Sequence, residues 1–293
     1  MCRADFNKDP NAILEEQVQK LILKEQAKEQ TKDVDPVLKI ASQPQLWGSL
    51  KRAGTPIYVP RTHSLVIVYS IFSALILAWA IHDTSLLHFI LCIIGSLVGY
   101  DILSGFLHIV FDDTRNLCLP VLGQPCLEFQ MHHHFPYDLV KRDLLDVLGD
   151  LNTVTGILAV LNICPYFFCD PWNNTTHRFM LGMKLFMAYY GQFSHRSAHT
   201  PSSVHNKYIE ALRKIGFMIP LDVHRSHHRP PHDKDFCLVG ICNPLINFMY
   251  HHVTRNRWFW MCGFFGVALF GIPLEAYVMD RVFGVIGIGI GMD

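Results

Sequence analysis

The sequence predicts an all-α integral membrane protein with about four to five transmembrane helices. Half of its 293 residues are hydrophobic and only 17% are charged, whereas soluble domains carry roughly 25% charged residues. Several apolar runs approach or exceed the length that crosses a bilayer, and most of the 17 histidines fall between these runs. The formal net charge is zero, so we expect no attraction for nucleic acid.

Five apolar runs are the candidate spans. Residues 65–81 form a short uncharged run, and residues 86–110 form a longer one that is interrupted by Asp101. The weaker or interrupted candidates are residues 154–168, 179–193 and 258–279. At ~1.5 Å per residue the second run extends roughly 37 Å, which exceeds a hydrocarbon core of ~30 Å. His108, near the end of this run, is therefore predicted at the membrane edge.

Basic residues set the predicted orientation of the chain. A basic stretch at residues 51–61 precedes the first run, and the positive-inside rule places that end in the cytosol. Because the connection to the second run is short, the second run returns and leaves His108 on the cytosolic side. The third and fourth runs form another hairpin, so residues 112–150 and 195–256 are predicted on that same side.

The histidines gather in four groups on the predicted cytosolic side, which favours a histidine-rich di-metal site there. Residues three or four apart share one face of a helix. The sets with this spacing are His108 with Asp112, His195 with His199, and His224 with His227 and His228. Adjacent His132 and His133 diverge on a helix, which suits one ligand for each of two neighbouring metal ions.

Eight imidazoles are the predicted metal ligands. They are His108, His132, His133, His195, His199, His224, His227 and His228. Imidazole binds Fe, Cu, Zn and Ni, so the donor type leaves the metal open. Eight nitrogens exceed what one tetrahedral zinc takes and fit two irons better, and the sequence contains neither HExxH nor CxxC. His134 and His232 are expected to support ligands or to lie on the surface.

Four motifs resemble the histidine boxes of the Kua-type lipid desaturase family, which includes plasmanylethanolamine desaturases and plastid palmitate desaturases. They are Asp101-Ile-Leu-Ser-Gly-Phe-Leu-His108 followed by Asp112, Phe129-Gln-Met-His132-His133-His134-Phe-Pro136, His195-Arg-Ser-Ala-His199-Thr200, and His224-Arg-Ser-His227-His228-Arg-Pro-Pro231. Their order and the lengths of the intervening loops match the family as well. The resemblance covers residues 64–247.

This resemblance implies a multi-pass desaturase of the endoplasmic reticulum that uses O2, holds two iron ions through the eight histidines and receives electrons from a cytochrome b5-type donor. It implies a membrane phospholipid as the substrate, with the new double bond close to the headgroup. His108, Asp112 and Asp150 are the predicted catalytic residues. Met131 and Val223 resemble the acyl-lipid branch, whereas residues 149–150 resemble the ether-lipid branch, so both O-alkyl and acyl substrates stay open.

The chain is predicted to divide into three regions. Residues 1–63 form a cytosolic N-terminal region with an amphipathic helix over residues 9–32, where no signal-peptide pattern is present. Residues 64–250 form the lipid desaturase domain with its four histidine boxes. Residues 251–293 form a hydrophobic C-terminal region.

Two other classes of function are considered. A di-iron hydroxylase uses the same oxidant but adds oxygen instead of removing a second hydrogen, and the sequence leaves this alternative open. A non-enzymatic haem protein or metal transporter places its ligands within paired spans or near the bilayer midplane. The candidate ligands here fall at the ends of runs and in loops, which disfavours that class.

Overall fold

The computed structural model describes residues 63–119, 122–134, 136, 138–168, 174–201, 203 and 205–285. These residues form helices and connecting turns, with no strand among them. The amphipathic helix predicted at residues 9–32 lies outside the described residues.

The helices, in chain order, include one at each of the five predicted apolar runs. They are α1 (His63–His82), α2 (Leu86–Asp112), α3 (Gly123–His134), α4 (Asp138–Lys141), α5 (Leu144–Gly149), α6 (Asn152–Phe168), α7 (Thr175–His199), α8 (Lys207–Lys214), α9 (Leu221–His227), α10 (Asn243–Phe248) and α11 (Arg257–Val285). A 3-10 turn follows α2 at Thr114–Cys118, and a π-helical turn follows α10 at Met249–Val253.

Three helices of the described chain, α1, α2 and α11, are long and apolar enough to cross a membrane. Helix α6 is apolar over a shorter stretch, Asn152–Leu161, and α7 is a 25-residue helix of more mixed composition. The predicted all-α membrane class is therefore confirmed. Helix α1 ends at His82 and α2 begins at Leu86, so the connection between them is short, as predicted.

The described residues fall into two compact units, one of Arg61–Val110 with Leu139 onward and one containing Phe111–Asp138. In the second unit, α3 packs against the 3-10 turn. The amide of Gln130 donates to the carbonyl of Asp112 over 2.8 Å, and the rings of Phe111 and Phe129 lie 5.2 Å apart. These contacts join α3 to the last residues of α2.

Helix α7 is the centre of the larger unit and contacts α1, α5, α6, α9 and α11. Its residues Phe179, Met180 and Leu185 are fully buried in the apolar core. A Cβ atom at Gly182 would lie 2.8 Å from Cγ of Leu77, so glycine permits the close approach of α1. The hydroxyl of Ser73 donates to the Gly182 carbonyl over 2.8 Å at this crossing.

A buried ion pair joins α7 to α11. The ammonium of Lys184 lies 2.7 Å from Oε1 of Glu275, and the two side chains are only 4% and 18% exposed. Gly99 of α2 packs directly against the Glu275 carboxylate, where a Cβ atom would clash. A charged group among apolar helices is costly unless it is paired, so this contact explains how α7 carries a lysine in its core.

We expect that removing either partner of this pair destabilises the protein, because the other charge is left buried without compensation. Lys184→Met or Glu275→Leu should each lower the free energy of unfolding by about 3–5 kcal/mol. The combined Lys184→Met/Glu275→Leu variant should recover most of that loss. Unfolding of the detergent-solubilised protein measures all three, and single variants as stable as the parent would contradict the assignment.

Candidate metal centre

Six histidines of the larger unit come together where α2, α7 and α9 end. They are His108 on α2, His195 and His199 on α7, His224 and His227 on α9, and His228 at the C-terminal end of α9. His108, His195, His224 and His227 are buried, and the other two are half-buried. The ends of three helices therefore present imidazoles to one region of the protein interior.

Four of these histidines bring their ring nitrogens close together. The ligand nitrogens of His195, His199, His224 and His228 lie within 4.8 Å of one another. Nε2 of His224 is 2.8 Å from Nε2 of His199, which is 3.4 Å from Nε2 of His195. With metal–nitrogen bonds of about 2.1 Å, ligands on opposite sides of an ion stand about 4.2 Å apart. The four nitrogens form a group that is close to the size needed to hold a metal ion.

His108 and His227 lie at the edge of this group, with ring centroids 5.3 Å apart. The Nδ1–H of His108 donates to the Ser104 carbonyl over 2.7 Å, and that of His227 donates to the Lys234 carbonyl over 3.0 Å. Because a carbonyl only accepts, each bond fixes the tautomer and leaves Nε2 as the basic nitrogen. Metal-binding histidines are commonly held in this way.

Burial favours the neutral form of two of these imidazoles, His195 and His224. Removal from water is the main reason that the pKa values of His195 and His224 lie well below the ordinary histidine value, and neighbouring imidazoles lower them further. The neutral form is the one that binds a metal. A set of buried neutral nitrogens that face one another is suited to holding a cation, so the residues present fit a metal of the kind that imidazole binds.

The smaller unit carries a second group of donors. Nε2 of His133 lies 3.5 Å from Oδ1 of Asp112, and both side chains are almost completely buried. The ring centroids of His132 and His133 lie 6.1 Å apart on α3. The contribution of His132 and His133 to a shared di-metal site stays a prediction.

Asp150 makes a two-point ion pair with Arg142. Nη1 and Nη2 of Arg142 each lie 2.8 Å from an oxygen of the Asp150 carboxylate. The carbonyl of Arg142 in turn accepts a hydrogen bond of 3.0 Å from Nη2 of Arg196, the residue after His195. Asp150, a predicted catalytic residue, is therefore linked to the end of α7 through Arg142 and Arg196.

Sequence reasoning did not assign a role to Asp101, which the structure places at the centre of a backbone anchor. Its completely buried carboxylate accepts from the backbone N–H groups of Val239, Gly240 and Cys242 over 2.7, 3.0 and 2.7 Å. The Ser104 hydroxyl accepts from the N–H of Leu238 over 2.9 Å. A carboxylate inside an apolar run was the available signal, since such a residue needs a specific partner.

The histidine cluster and the Asp101 anchor lie in a part of the chain that matches a known protein family. The family described as Lipid desaturase domain matches residues 97–256, slightly more than half of the chain. This range includes every residue of the histidine cluster and of the Asp101 anchor. No solved structure matches the chain.

Several curated proteins are similar to the chain over about half of its length. Fatty acid desaturase 4 of Arabidopsis thaliana chloroplasts is 28% identical over 157 residues, or 51% of this chain and 46% of that protein. Plasmanylethanolamine desaturase of Myxococcus xanthus is 25% identical over 172 residues, which are 55% of this chain and 58% of that protein. Plasmanylethanolamine desaturase 1 of Mus musculus is 27% identical over 155 residues, which are 50% of this chain and 54% of that protein. The chain thus spans about half the length of these relatives.

We expect His224→Ala to weaken metal binding because His224 touches both His199 and His195. Mutation of a residue that only supports a ligand lowers the metal affinity about 10- to 100-fold, so the loss for His224→Ala should be at least that large. Elemental analysis after equilibration with a competing chelator measures the affinity. His82→Ala is the matched control, because the His82 side chain is 86% exposed. Equal metal retention by both variants would remove His224 from the ligand set.

We expect Asp101→Ala to destabilise the protein because three backbone N–H groups lose their acceptor. A buried group without a partner costs about 1–3 kcal/mol, so the total loss should be about 3 kcal/mol or more. Asp101→Asn keeps one oxygen acceptor and should lose less. Unfolding in detergent measures these changes, with the exposed Asp222→Ala as the control. An Asp101→Ala protein as stable as the control would contradict the anchoring role.

Proposed function

Because the chain belongs to the lipid desaturase domain family, we propose that it is a di-iron, O2-dependent desaturase of phospholipid-linked chains. The observation that carries this proposal is the cluster of six imidazoles at the ends of α2, α7 and α9, within the matched range. A membrane enzyme that acts on the lipid chain near its headgroup needs its metals at the end of a span. The position of His108 on α2 meets that requirement.

The reaction removes two hydrogens from adjacent carbons of the chain. In balanced form, –CH2–CH2– with O2, two electrons and two protons yields –CH=CH– and two molecules of water. No amino acid side chain supplies an oxidant for an unactivated C–H bond, and bound iron would supply it by activating O2. The electrons are proposed to come from a cytochrome b5-type donor.

The role of the protein in the proposed reaction is to hold nitrogen donors in fixed positions and away from water. Carbonyl partners at Ser104 and Lys234 orient the rings of His108 and His227. His132, His133 and Asp112 are proposed to complete the set of iron ligands. Their burial and the approach of His133 to Asp112 support that role.

For Asp150 we propose a positioning role rather than a ligand role. Its carboxylate fixes the guanidinium of Arg142. The guanidinium of Arg196 then donates to the carbonyls of Leu139, Val140 and Arg142 over 2.9, 3.1 and 3.0 Å. Because Arg196 follows His195 on α7, these bonds hold the turn that presents His195.

The substrate is proposed to be a membrane phospholipid whose chain is linked to glycerol by an ether or an ester. The names of the relatives include both fatty acid and plasmanylethanolamine desaturases, which supports either linkage. Three helices that can cross a membrane support a multi-pass protein, which we propose resides in the endoplasmic reticulum.

Expression in yeast with an alkylglycerol and labelled palmitate tests the proposed reaction. We expect a phospholipid product lighter by two mass units, because two hydrogens leave the chain. An acid-labile vinyl ether would identify the ether substrate, and a new unsaturated acyl chain would identify the acyl substrate. The His224→Ala variant should give no product at an equal protein level. A product heavier by one oxygen would contradict desaturation and identify a hydroxylase.

A further inference from the structure

We propose that residues 249–258, which we call the headgroup segment, bind the phosphate of the substrate lipid, with Arg255 as the principal cation. The segment consists of the π-helical turn Met249–Val253 and the following residues up to Trp258 on α11. This inference rests on the proposed function because it takes the bound lipid to be the substrate.

A row of ring contacts joins the headgroup segment to the metal centre. The ring of His227 lies 5.7 Å from that of Phe236, which lies 5.1 Å from that of Tyr250. The guanidinium carbon of Arg255 lies 5.2 Å from the Tyr250 ring centroid. Two aromatic side chains therefore link a predicted metal ligand to the cation, which places the headgroup segment on the same side of the larger unit as the histidine cluster.

The Arg255 guanidinium is exposed and only weakly paired with a carboxylate. Its Nη2 donates over 2.7 Å to Nδ1 of His251, which accepts only as the neutral imidazole. The nearest carboxylate oxygen, on Asp233, is 3.8 Å away and beyond hydrogen-bonding distance. The Arg255 side chain is 59% exposed, and Arg257 adds a second guanidinium 4.8 Å from the Trp258 ring centroid. Guanidinium groups are well suited to phosphate because they donate in a planar fork.

Local hydrogen bonds fix the backbone on both sides of Arg255. The hydroxyl of Thr254 accepts from the N–H of Asn256 over 3.0 Å, and the side-chain oxygen of Asn256 accepts from the N–H of Trp258 over 2.9 Å. The indole N–H of Trp260 donates to the Thr254 carbonyl over 2.9 Å, and its ring packs 5.0 Å from Phe106 of α2. Trp260 thus connects the backbone beside Arg255 to α2, the helix that also carries His108.

The surroundings of the headgroup segment favour a lipid over a water-soluble acidic protein. Phe248, Val253 and Trp258 are 57%, 61% and 52% exposed beside the cations. Exposed apolar side chains next to arginine, with tryptophan at the start of a span, are typical of the membrane interface. At that depth the abundant anionic partner is the phosphate of a lipid headgroup.

Binding of short-chain lipids to the full-length protein in detergent tests this inference without turnover. The probes are dihexanoyl phosphatidylethanolamine, dihexanoylglycerol, which lacks phosphate, and inorganic phosphate. Since a ligand stabilises the folded state it binds, we expect only the phospholipid to raise the unfolding midpoint strongly. Arg255→Gln should weaken phospholipid binding about tenfold or more, as expected when a charge-assisted hydrogen bond is lost.

Lys214→Gln is the matched control, because Lys214 is an exposed cation on α8 outside the headgroup segment. This variant should bind the phospholipid like the parent, and Arg255→Lys should recover part of the loss. Iron content should be equal in all variants, and in turnover assays Arg255→Gln should raise KM more than it lowers kcat.

Equal phospholipid binding by Arg255→Gln and Lys214→Gln would overturn the inference. It would also be overturned if inorganic phosphate or dihexanoylglycerol stabilised the protein as strongly as the phospholipid. Failure of the proposed function gives a different result, namely Arg255-dependent phospholipid binding without a desaturated product, and that outcome supports the binding segment alone.

Discussion

The packing of neutral imidazoles against one another, away from water, is the constraint on which the rest of the structure depends. An imidazole buried without a partner is costly, and several together cannot all be charged. Nε2 of His199 and Nε2 of His224 lie 2.8 Å apart, a distance that suits either a hydrogen bond between them or two ligands of one metal ion. A metal ion satisfies such nitrogens at once. The helices that carry them must therefore end at one place.

Helix α2 meets this requirement with a line of polar residues on one face. Asp101, Ser104 and His108 follow one another at helical spacing, and all three are buried. Asp101 and Ser104 bind the backbone of residues 238–242, and the Ser104 carbonyl also orients the His108 ring. One helix thus fixes both a predicted ligand and the loop that follows α9.

Much of the fold follows from the sequence because apolar length and histidine spacing are local properties. The five runs predicted the five long helices, and four-residue spacing predicted that His195 and His199 share a face. The roles of Asp101, Arg142 and Lys184 depend on partners far along the chain, in residues 239–242, Asp150 and Glu275. No periodic pattern encodes such pairs. Helix α8 likewise packs through a contact with α7, in which Arg213 donates to the Ser197 carbonyl.

Helix α11, in the C-terminal region, packs against helices of the range that matches the family. It lies beyond residue 256, where the family match ends, yet Glu275 pairs with Lys184 inside that range. Its first turn also places Trp260 against Phe106 of α2. The helix therefore packs against both α7 and α2 of the matched range.

X-ray absorption at the iron edge of the purified, iron-loaded protein tests the central claim most directly. If the histidine cluster holds the metal, the spectrum will show a first shell of nitrogen and oxygen donors with the outer-shell scattering of several imidazoles per iron. A first shell dominated by sulfur, or one without imidazole scattering, would contradict the account.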